Sequence, residues 1–407
     1  MLNTELINEM VDNNREEATA FLVECLQTPS VTGDESAMGK VISRWMEKIG
    51  LEPHNYEKEP GRSNIVGEWI GSKPGKTFLF NGHMDVFPPV PGNPGKYGPW
   101  SGKIVDEYIY GRGSIDMKAG LCASILAVKY LKELNYPLEG NVLITCVSDE
   151  ENGGNLGTKY LLDEGIIHGD AGVCMEATGK KIIVEHCGGI IMKVTYRGEA
   201  INSAFPHPTE DSLSKAINAI LKLKELDKKL QQHYFMSGDL KVSSLLSVTM
   251  MNAGEAENMF AAESSFIIDR RLLPDETVEE AIKEIEGVLD KLQEEKKEYD
   301  YKYEYEILTH CSSLTVDRES DVVKAAQKAF KDIAGYDTRL HRTGGGSDAS
   351  SIAEVTGMNI PNFGPGWDGT EGYGCACHED ERLILEDYFM FIKIYMKMLV
   401  YYFSQAK

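Results

Sequence analysis

TFLFNGHMDVFPP, residues 77–89, joins a short, largely apolar run to a turn carrying His83 and Asp85. Such a run is too short for a typical helix and too uniform for a half-exposed strand, so it reads as a strand buried on both faces, as parallel strands of α/β sheets are. The same pattern recurs where VLITCV (142–147) runs into SDEENGG and AGVCM (171–175) runs into Glu176. Between the first two runs lies the helix-like stretch MKAGLCASILAVKYLKEL (117–134). Strand, helix and strand in that order predict an α/β fold with a mostly parallel central sheet flanked by helices. Another helix is predicted from Glu35 to Gly50, where Met38, Val41, Ile42, Trp45, Met46 and Ile49 keep helical spacing and Gly50 is placed to end it.

Near residue 188 the pattern changes. GIIMKVTYRG, a helix-like stretch over about 210–232, SLLSVTMMNAG, SSFIIDRRLLP, a second helix over about 276–296 and YEYEILTH follow one another. That is the order β-α-β-β-α-β of a ferredoxin-like α+β domain. After about residue 311 the chain returns to a helix-rich pattern and ends in an amphipathic stretch from Leu385 to Phe403. The sequence therefore predicts one α/β domain, residues 1–187 and 311–407, interrupted by an inserted domain, residues 188–310.

Composition narrows the function classes. Of 407 residues, 42% are hydrophobic and 26% charged, a globular balance, and no apolar run approaches the roughly 18 residues of a membrane helix. The net charge of −22 repels nucleic acid and anionic membranes, and it invites a search for a metal site among the surplus carboxylates. MLNTELINEMVDNNREE lacks a basic segment followed by an apolar one, so no secretory signal is expected and the cytoplasm is the expected compartment. The eight cysteines, scattered through predicted strands and helices, are expected as free thiols.

Ligand sites of open α/β sheets lie beyond the carboxyl ends of the strands. His83 and Asp85 follow the first buried run, Glu150 and Glu151 the second and Glu176 the third, while Asp116 in GRGSIDMKAG precedes a helix and CACHEDE supplies His378. Each residue alone has an ordinary explanation in packing or a loop end, but their repetition at strand ends does not. Two histidines with several carboxylates suit two borderline divalent cations such as zinc, bridged by one Asp, with cobalt or manganese as alternatives. Two residues after His83, the Asp85 carboxylate is placed to accept the second ring N–H of a metal-bound imidazole. Cys375 and Cys377 lie one residue apart and would point to opposite sides of an extended segment, which argues against a paired thiolate site. Nucleotide-binding and serine-nucleophile signatures are missing.

In order along residues 20–395, NGHMDVFPP, GRGSIDMKAG, SDEENGG, DRRLLP, GGGSDAS, NFGPG and the terminal His-Glu-Asp-Glu resemble the dinuclear-zinc aminoacylase and carboxypeptidase family. That family includes acetylornithine deacetylases, succinyl-diaminopimelate desuccinylases, carboxypeptidase G and aminoacylase-1. The resemblance implies that His83 and Glu176 hold one metal, Glu151 and His378 the other, with Asp116 bridging, Glu150 as general base and Asp85 orienting His83. It implies hydrolysis of the amide bond of an N-acyl amino acid or short peptide with a free carboxylate, and Glu176 leans toward deacylases and carboxypeptidases over dipeptidases. The inserted domain would be a lid and homodimerisation surface, with Arg271 and Asn258 gripping the substrate and Gly344, Gly345, Gly346 and Ser347 offering donors to its carboxylate. One departure stands out: Asn202 occupies a place where the family usually has a histidine that reaches the oxyanion of the neighbouring active site. Asn202 would serve as an amide donor in a natural variant, or be an engineered substitution made to slow turnover, or nearby His207 would take the role; the chain as a catalytically impaired, metal-containing binding homologue is the alternative to a working hydrolase.

Overall fold

The structure, a computed structural model, describes residues 2–205, 211–237, 240–366 and 376–404. Backbone contacts divide the chain into two compact units, one of Met1–Val184, Val316–His341 and Ser347–Lys407, the other of Glu185–Thr315 and Arg342–Gly346.

In the first unit the strand Lys73–His83 lies at the middle of the sheet. It pairs in parallel with Glu139–Val147 and with Ala171–Ala177, and Asn362–Gly364 extends the parallel set. Ser63–Ile70 and then His54–Glu57 add antiparallel strands beyond Glu139–Val147. Phe78, Leu79 and Phe80 have no exposed surface, as expected for a strand covered on both faces. Because the central strands run the same way, His83, the turn after Val147 and Glu176 all arrive at one edge of the sheet.

The helix Lys118–Glu133 is buried from Lys118 through Leu131. It lies so close to the sheet that a Cβ on Gly120 would stand 2.4 Å from the Met175 carbonyl oxygen, so only glycine fits there. The helix Leu385–Ser404 departs from the amphipathic expectation, being buried on nearly every side. Helices Lys118–Glu133, Asp321–Ala334 and Thr4–Asn13 surround it. Its polar groups are satisfied in place: the Tyr395 hydroxyl donates to the Phe363 carbonyl at 2.6 Å, and Lys393 pairs with Asp12 at 2.9 Å. A sequence pattern registers polarity but not whether a neighbour meets it, which is why the helix looked half-exposed.

The second unit carries an antiparallel sheet in the order Leu245–Ala253, Glu263–Leu272, Gly188–Arg197, Tyr303–Cys311. With helices Ser212–Leu230 and Val278–Glu295 this is the ferredoxin-like arrangement. Ile190, Met192, Val194 and Tyr196, every second residue of one strand, share a core with Ala216, Ala219 and Leu223 of one helix and Ile285, Leu289 and Leu292 of the other. Asp211 caps the first helix by accepting the Ser214 N–H, and Thr277 with Glu280 forms a capping box on the second. A two-stranded hairpin, Tyr234–Ser237 with Leu240–Ser243, is an addition that the sequence pattern did not reveal. Among the described residues no helix is long and apolar enough to cross a membrane.

Candidate metal centre

His83 ends its strand fully enclosed, with 1% of its side chain exposed. Its Nε2 lies 3.0 Å from Asp116 Oδ1, 3.6 Å from Glu176 Oε1 and 3.9 Å from Glu150 Oε2. On the other side of the ring, Nδ1 donates to the main-chain carbonyl of Asp85 at 2.8 Å, which directs Nε2 toward the carboxylates. The Asp85 carboxylate is farther from Nδ1, at 3.6 Å, and has other work. It accepts the N–H groups of Glu150 at 3.2 Å and Glu151 at 3.3 Å and the Thr32 hydroxyl at 2.9 Å. The ring is thus oriented by Asp85 through its backbone, whereas the sequence had pointed to its side chain.

The Glu150–Glu151 turn is braced from behind as well. Asp149 stands in the left-handed region with φ 67°, and its carboxylate accepts from Arg62 at 2.7 Å and from the Leu156 N–H at 3.0 Å. The same guanidinium donates to buried Glu35 at 2.8 Å. Asp116 is held by a residue that sequence reasoning passed over. Glu381, 1% exposed, accepts from Arg112 at 2.9 Å and from the backbone N–H groups of Gly113, Ile115 and Asp116 at 3.0, 2.9 and 3.2 Å. The signal lay in the acidic run after His378, but only the pairing of strand Arg382–Ile384 with Tyr108–Tyr110 brings it to this loop. Asp348, also passed over, is buried and accepts the Thr158 hydroxyl at 2.7 Å.

Two overlapping sets of donors result: His83 with Glu150 and Glu176, and His83 with Asp116 and Glu151, the ligand atoms of each set lying within 4.8 Å of one another. Burial pushes the Glu150 and Glu176 carboxyls well above the usual carboxylate range, with neighbouring carboxylates adding and His83 opposing. Burial likewise carries Glu151 up to about 9 and Asp348 up to about 6. For His83 burial pulls the other way, yet the Asp116 hydrogen bond and the charges of Glu176 and Glu150 outweigh it and hold the imidazolium well above its usual pKa. The centre therefore has more negative charge than one imidazolium can balance. Glu151 Oε1 is buried without a hydrogen-bond partner, an orphaned acceptor that a cation would satisfy. Imidazole plus carboxylates is a donor set that zinc, cobalt and manganese all accept.

The other residues singled out in the sequence stand elsewhere. His378 is not in either donor set; its side chain is 51% exposed and its Nε2 lies 3.3 Å from Glu379 Oε2. In the second unit, Asn202 and Asn258 sit on loops that hydrogen-bond to each other, Asn202 bridging to Met259 and the Ser203 N–H donating to the Asn258 carbonyl at 2.9 Å. Asn202 Oδ1 accepts the Ala204 N–H at 3.0 Å. Arg271 is half-exposed and paired with Asp269 at 2.9 Å. The Gly345 N–H reaches Thr343 Oγ1 at 3.5 Å, and Gly346 passes the Cys311 sulfur closely enough that a Cβ would lie 3.2 Å from it. Ser347 caps the helix Asp348–Thr356 and donates to Asn362 Oδ1 at 2.9 Å. His207 and Cys375 lie outside the described residues.

The profile of peptidase family M20/M25/M40 matches residues 79–401. The chain belongs to that family. A succinyl-diaminopimelate desuccinylase of Paracoccus denitrificans is 27% identical over 401 residues, covering 95% of this chain and 97% of its own. In fold, the chain resembles the M20 metallo-carboxypeptidase Sso-CP2 of Sulfolobus solfataricus, with a TM-score of 0.75 at 20% identity over 95% of this chain and 99% of the other. It also resembles the YXEP protein of Bacillus subtilis, described as a dinuclear metal binding peptidase of family M20, with a TM-score of 0.69 at 16% identity over 96% and 98%. M20 peptidases are dinuclear metal enzymes, and this one, with its paired donor sets, is an amidohydrolase of the metallopeptidase class.

The role of Glu381 has a direct test. Glu381→Ala strands the buried Arg112 charge and frees the loop that carries Asp116, so it should lower stability by roughly 3–5 kcal/mol. It should also weaken metal binding by about 10–100-fold, the usual loss when an outer partner of a ligand is removed. Urea unfolding and metal titration of the variant check both; unchanged metal affinity would show that Asp116 is positioned without it.

Proposed function

We propose that this protein is a cytoplasmic two-zinc hydrolase that cleaves the amide bond of an N-acyl amino acid or short peptide bearing a free carboxylate. The observation that carries this reading is the buried edge where Glu150 and Glu151, adjacent on one braced turn, face His83, Asp116 and Glu176. On this reading His83 and Glu176 would hold one ion, Glu151 and His378 the other, and Asp116 would be shared between the two. The ions, when bound, supply Lewis acidity that lowers the pKa of water and stabilises the charge developing on the carbonyl oxygen.

Glu150 moves the proton. It takes one from the attacking water and returns it to the amine nitrogen as the C–N bond breaks, so amide and water become carboxylate and amine. Asp85 keeps the base in place by holding two successive N–H groups of its turn. We assign substrate recognition to Arg271, as the partner of the carboxylate, and to Asn258, Gly345, Gly346 and Ser347, with Asn202 as an amide donor to the oxyanion. The support is the match of these positions to the family pattern and, for the acyl amino acid class, the desuccinylase relatives. Free thiols at the described cysteines accord with the cytoplasm.

The chain is also proposed to pair with a second copy through the second unit. Leu213, Ile217 and Leu221 leave an apolar stripe exposed on the helix Ser212–Leu230, and Met250 and Met251 are exposed on the adjoining edge strand Leu245–Ala253. Sedimentation should give twice the mass of the chain, reduced to a single chain by Ile217→Glu; a monomeric wild type would reject the pairing.

Elemental analysis of protein purified without chelator, combined with a panel of N-acetyl and N-succinyl amino acids and dipeptides, tests the main reading. Near two zinc ions per chain are expected, with hydrolysis of a carboxylate-bearing substrate and a loss of about 10²–10⁴-fold in kcat for Glu150→Gln at unchanged metal content. Turnover that survives Glu150→Gln would remove the proposed base.

A second reading, an impaired homologue that binds metal without efficient turnover, is motivated by Asn202. An amide carries no positive charge to the oxyanion, and loss of one such donor costs about 10²–10³-fold in kcat. If the amide suffices, Asn202→His should change kcat by less than about tenfold, short of that range. A hundredfold gain would instead establish the impaired reading.

A further inference from the structure

Among the described residues the Glu150 carboxylate accepts no hydrogen bond, and His83 Nε2 stands 3.9 Å from it. A base left free in this way is aimed by its backbone. That backbone is a tight turn: Asp149, at φ 67°, comes before Glu150–Asn152, and Gly153 and Gly154, at φ 93° and 70°, come after. Asp85 holds the turn from one side by accepting the Glu150 and Glu151 N–H groups.

The other side is held through Arg62. Its Nε and Nη2 donate to the two oxygens of Glu35 at 2.8 and 3.0 Å, and Nη2 donates also to Asp149 Oδ1 at 2.7 Å. The side chains of Arg62, Glu35 and Asp149 are 12%, 0% and 7% exposed, so water offers them little alternative to one another. Glu35 is fixed in turn to the segment that carries Asp85. Its Oε1 accepts the Gly33 N–H at 3.0 Å, the Thr32 hydroxyl donates to Asp85 Oδ2 at 2.9 Å, and the N–H groups of Thr32 and Val86 donate to the carbonyls of Val86 and Ser30. The contacts close a ring that runs from Asp85 through Thr32, Glu35, Arg62 and Asp149 to the Glu150 N–H and back to Asp85. Asn64, two residues after Arg62, adds a brace by accepting the Ser148 N–H and donating to the Leu156 carbonyl, both at 2.9 Å.

We propose that Arg62 is a positioning residue for the reaction, its guanidinium setting the turn that aims Glu150 at the attacking water. The proposal rests on the assignment of Glu150 as base and names what that base depends on. A planar fork bound to two carboxylates fixes the place of one relative to the other, which an ammonium on a flexible stem does not. A displacement of about 1 Å at a reacting group costs on the order of 10²-fold in rate. The Arg62 side chain meets Glu35 and Asp149 and none of the residues assigned to the substrate, so the loss falls on kcat and not on KM.

Arg62→Lys keeps a positive charge between the two carboxylates and so separates positioning from folding. The assay uses full-length protein, saturating zinc and the N-acetyl or N-succinyl amino acid that the wild type hydrolyses. In the variant kcat should fall by about 10–100-fold with KM within about threefold. In a Glu150→Gln background the same substitution should change kcat by less than about threefold, because a residue that acts through the base has nothing left to act on. Asp149→Asn cuts the same link while its amide tolerates the left-handed backbone and still accepts the Leu156 N–H, and it should give the same pattern. A kcat within about threefold of wild type in both variants, an undiminished loss in the Glu150→Gln background, or a rise in KM at unchanged kcat would each overturn the role of Arg62 and leave Glu150 as the base. A wild type that hydrolyses nothing, or a Glu150→Gln variant with normal turnover, would overturn the base and this role together.

Discussion

The Glu381 carboxylate joins segments 265 residues apart in the chain, and the geometry of the metal centre depends on it. One oxygen collects three backbone donors, those of Gly113, Ile115 and Asp116, from the loop that carries Asp116, and the other meets the buried Arg112 guanidinium. Charge-assisted bonds of this kind are short and directional, and a carboxylate with four donors has little freedom left. The strand Arg382–Ile384, paired with Tyr108–Tyr110, supplies the scaffold that brings Glu381 there. A loop is thereby given the stiffness of a strand end, and Asp116 can face His83 although it does not lie on the parallel sheet.

Around this joint the protein gathers charge that it does not balance by itself. His83 is the cation among Asp116, Glu150, Glu151 and Glu176 in the two donor sets, and burial raises the pKa values of the three glutamates, which the imidazolium only partly offsets. Divalent cations remove the conflict, so metal binding and stability of this edge are linked: whatever binds the folded form tightly also holds it folded. The supports behind the donors, Asp85 beneath the Glu150 turn and the Arg62 bridge between Glu35 and Asp149, find their partners within the protein.

The sequence disclosed the parts of this design that follow from periodicity. Largely apolar runs at 77–80, 142–147 and 171–175 marked parallel strands, and polar residues after each marked the edge where His83, Glu150, Glu151 and Glu176 now meet. The ferredoxin-like order of the second unit was legible for the same reason, since alternation and helical spacing are local properties. What escaped were relations between distant segments. Glu381 reads as one acid among several until a strand pairing brings it beside Arg112, and Leu385–Ser404 reads as amphipathic until its polar groups are seen to be met by other helices.

The wholly buried helix Leu385–Ser404 bears on how the chain matures during synthesis. The strands of the first unit's sheet and the helix Lys118–Glu133 leave the ribosome long before it does, although both pack against it, Phe78 and Phe80 meeting Tyr402 and Tyr395. The residues from Gly188 to Cys311, contiguous and with a core of their own, can condense as soon as they emerge. The first unit has to wait for residues 321–404, some seconds later at the usual rate of about 5–20 residues per second. Since Glu381 precedes the last helix by only a few positions, the clamp on Asp116 and the lining of the sheet arrive together, and the metal pocket takes shape among the last events of folding.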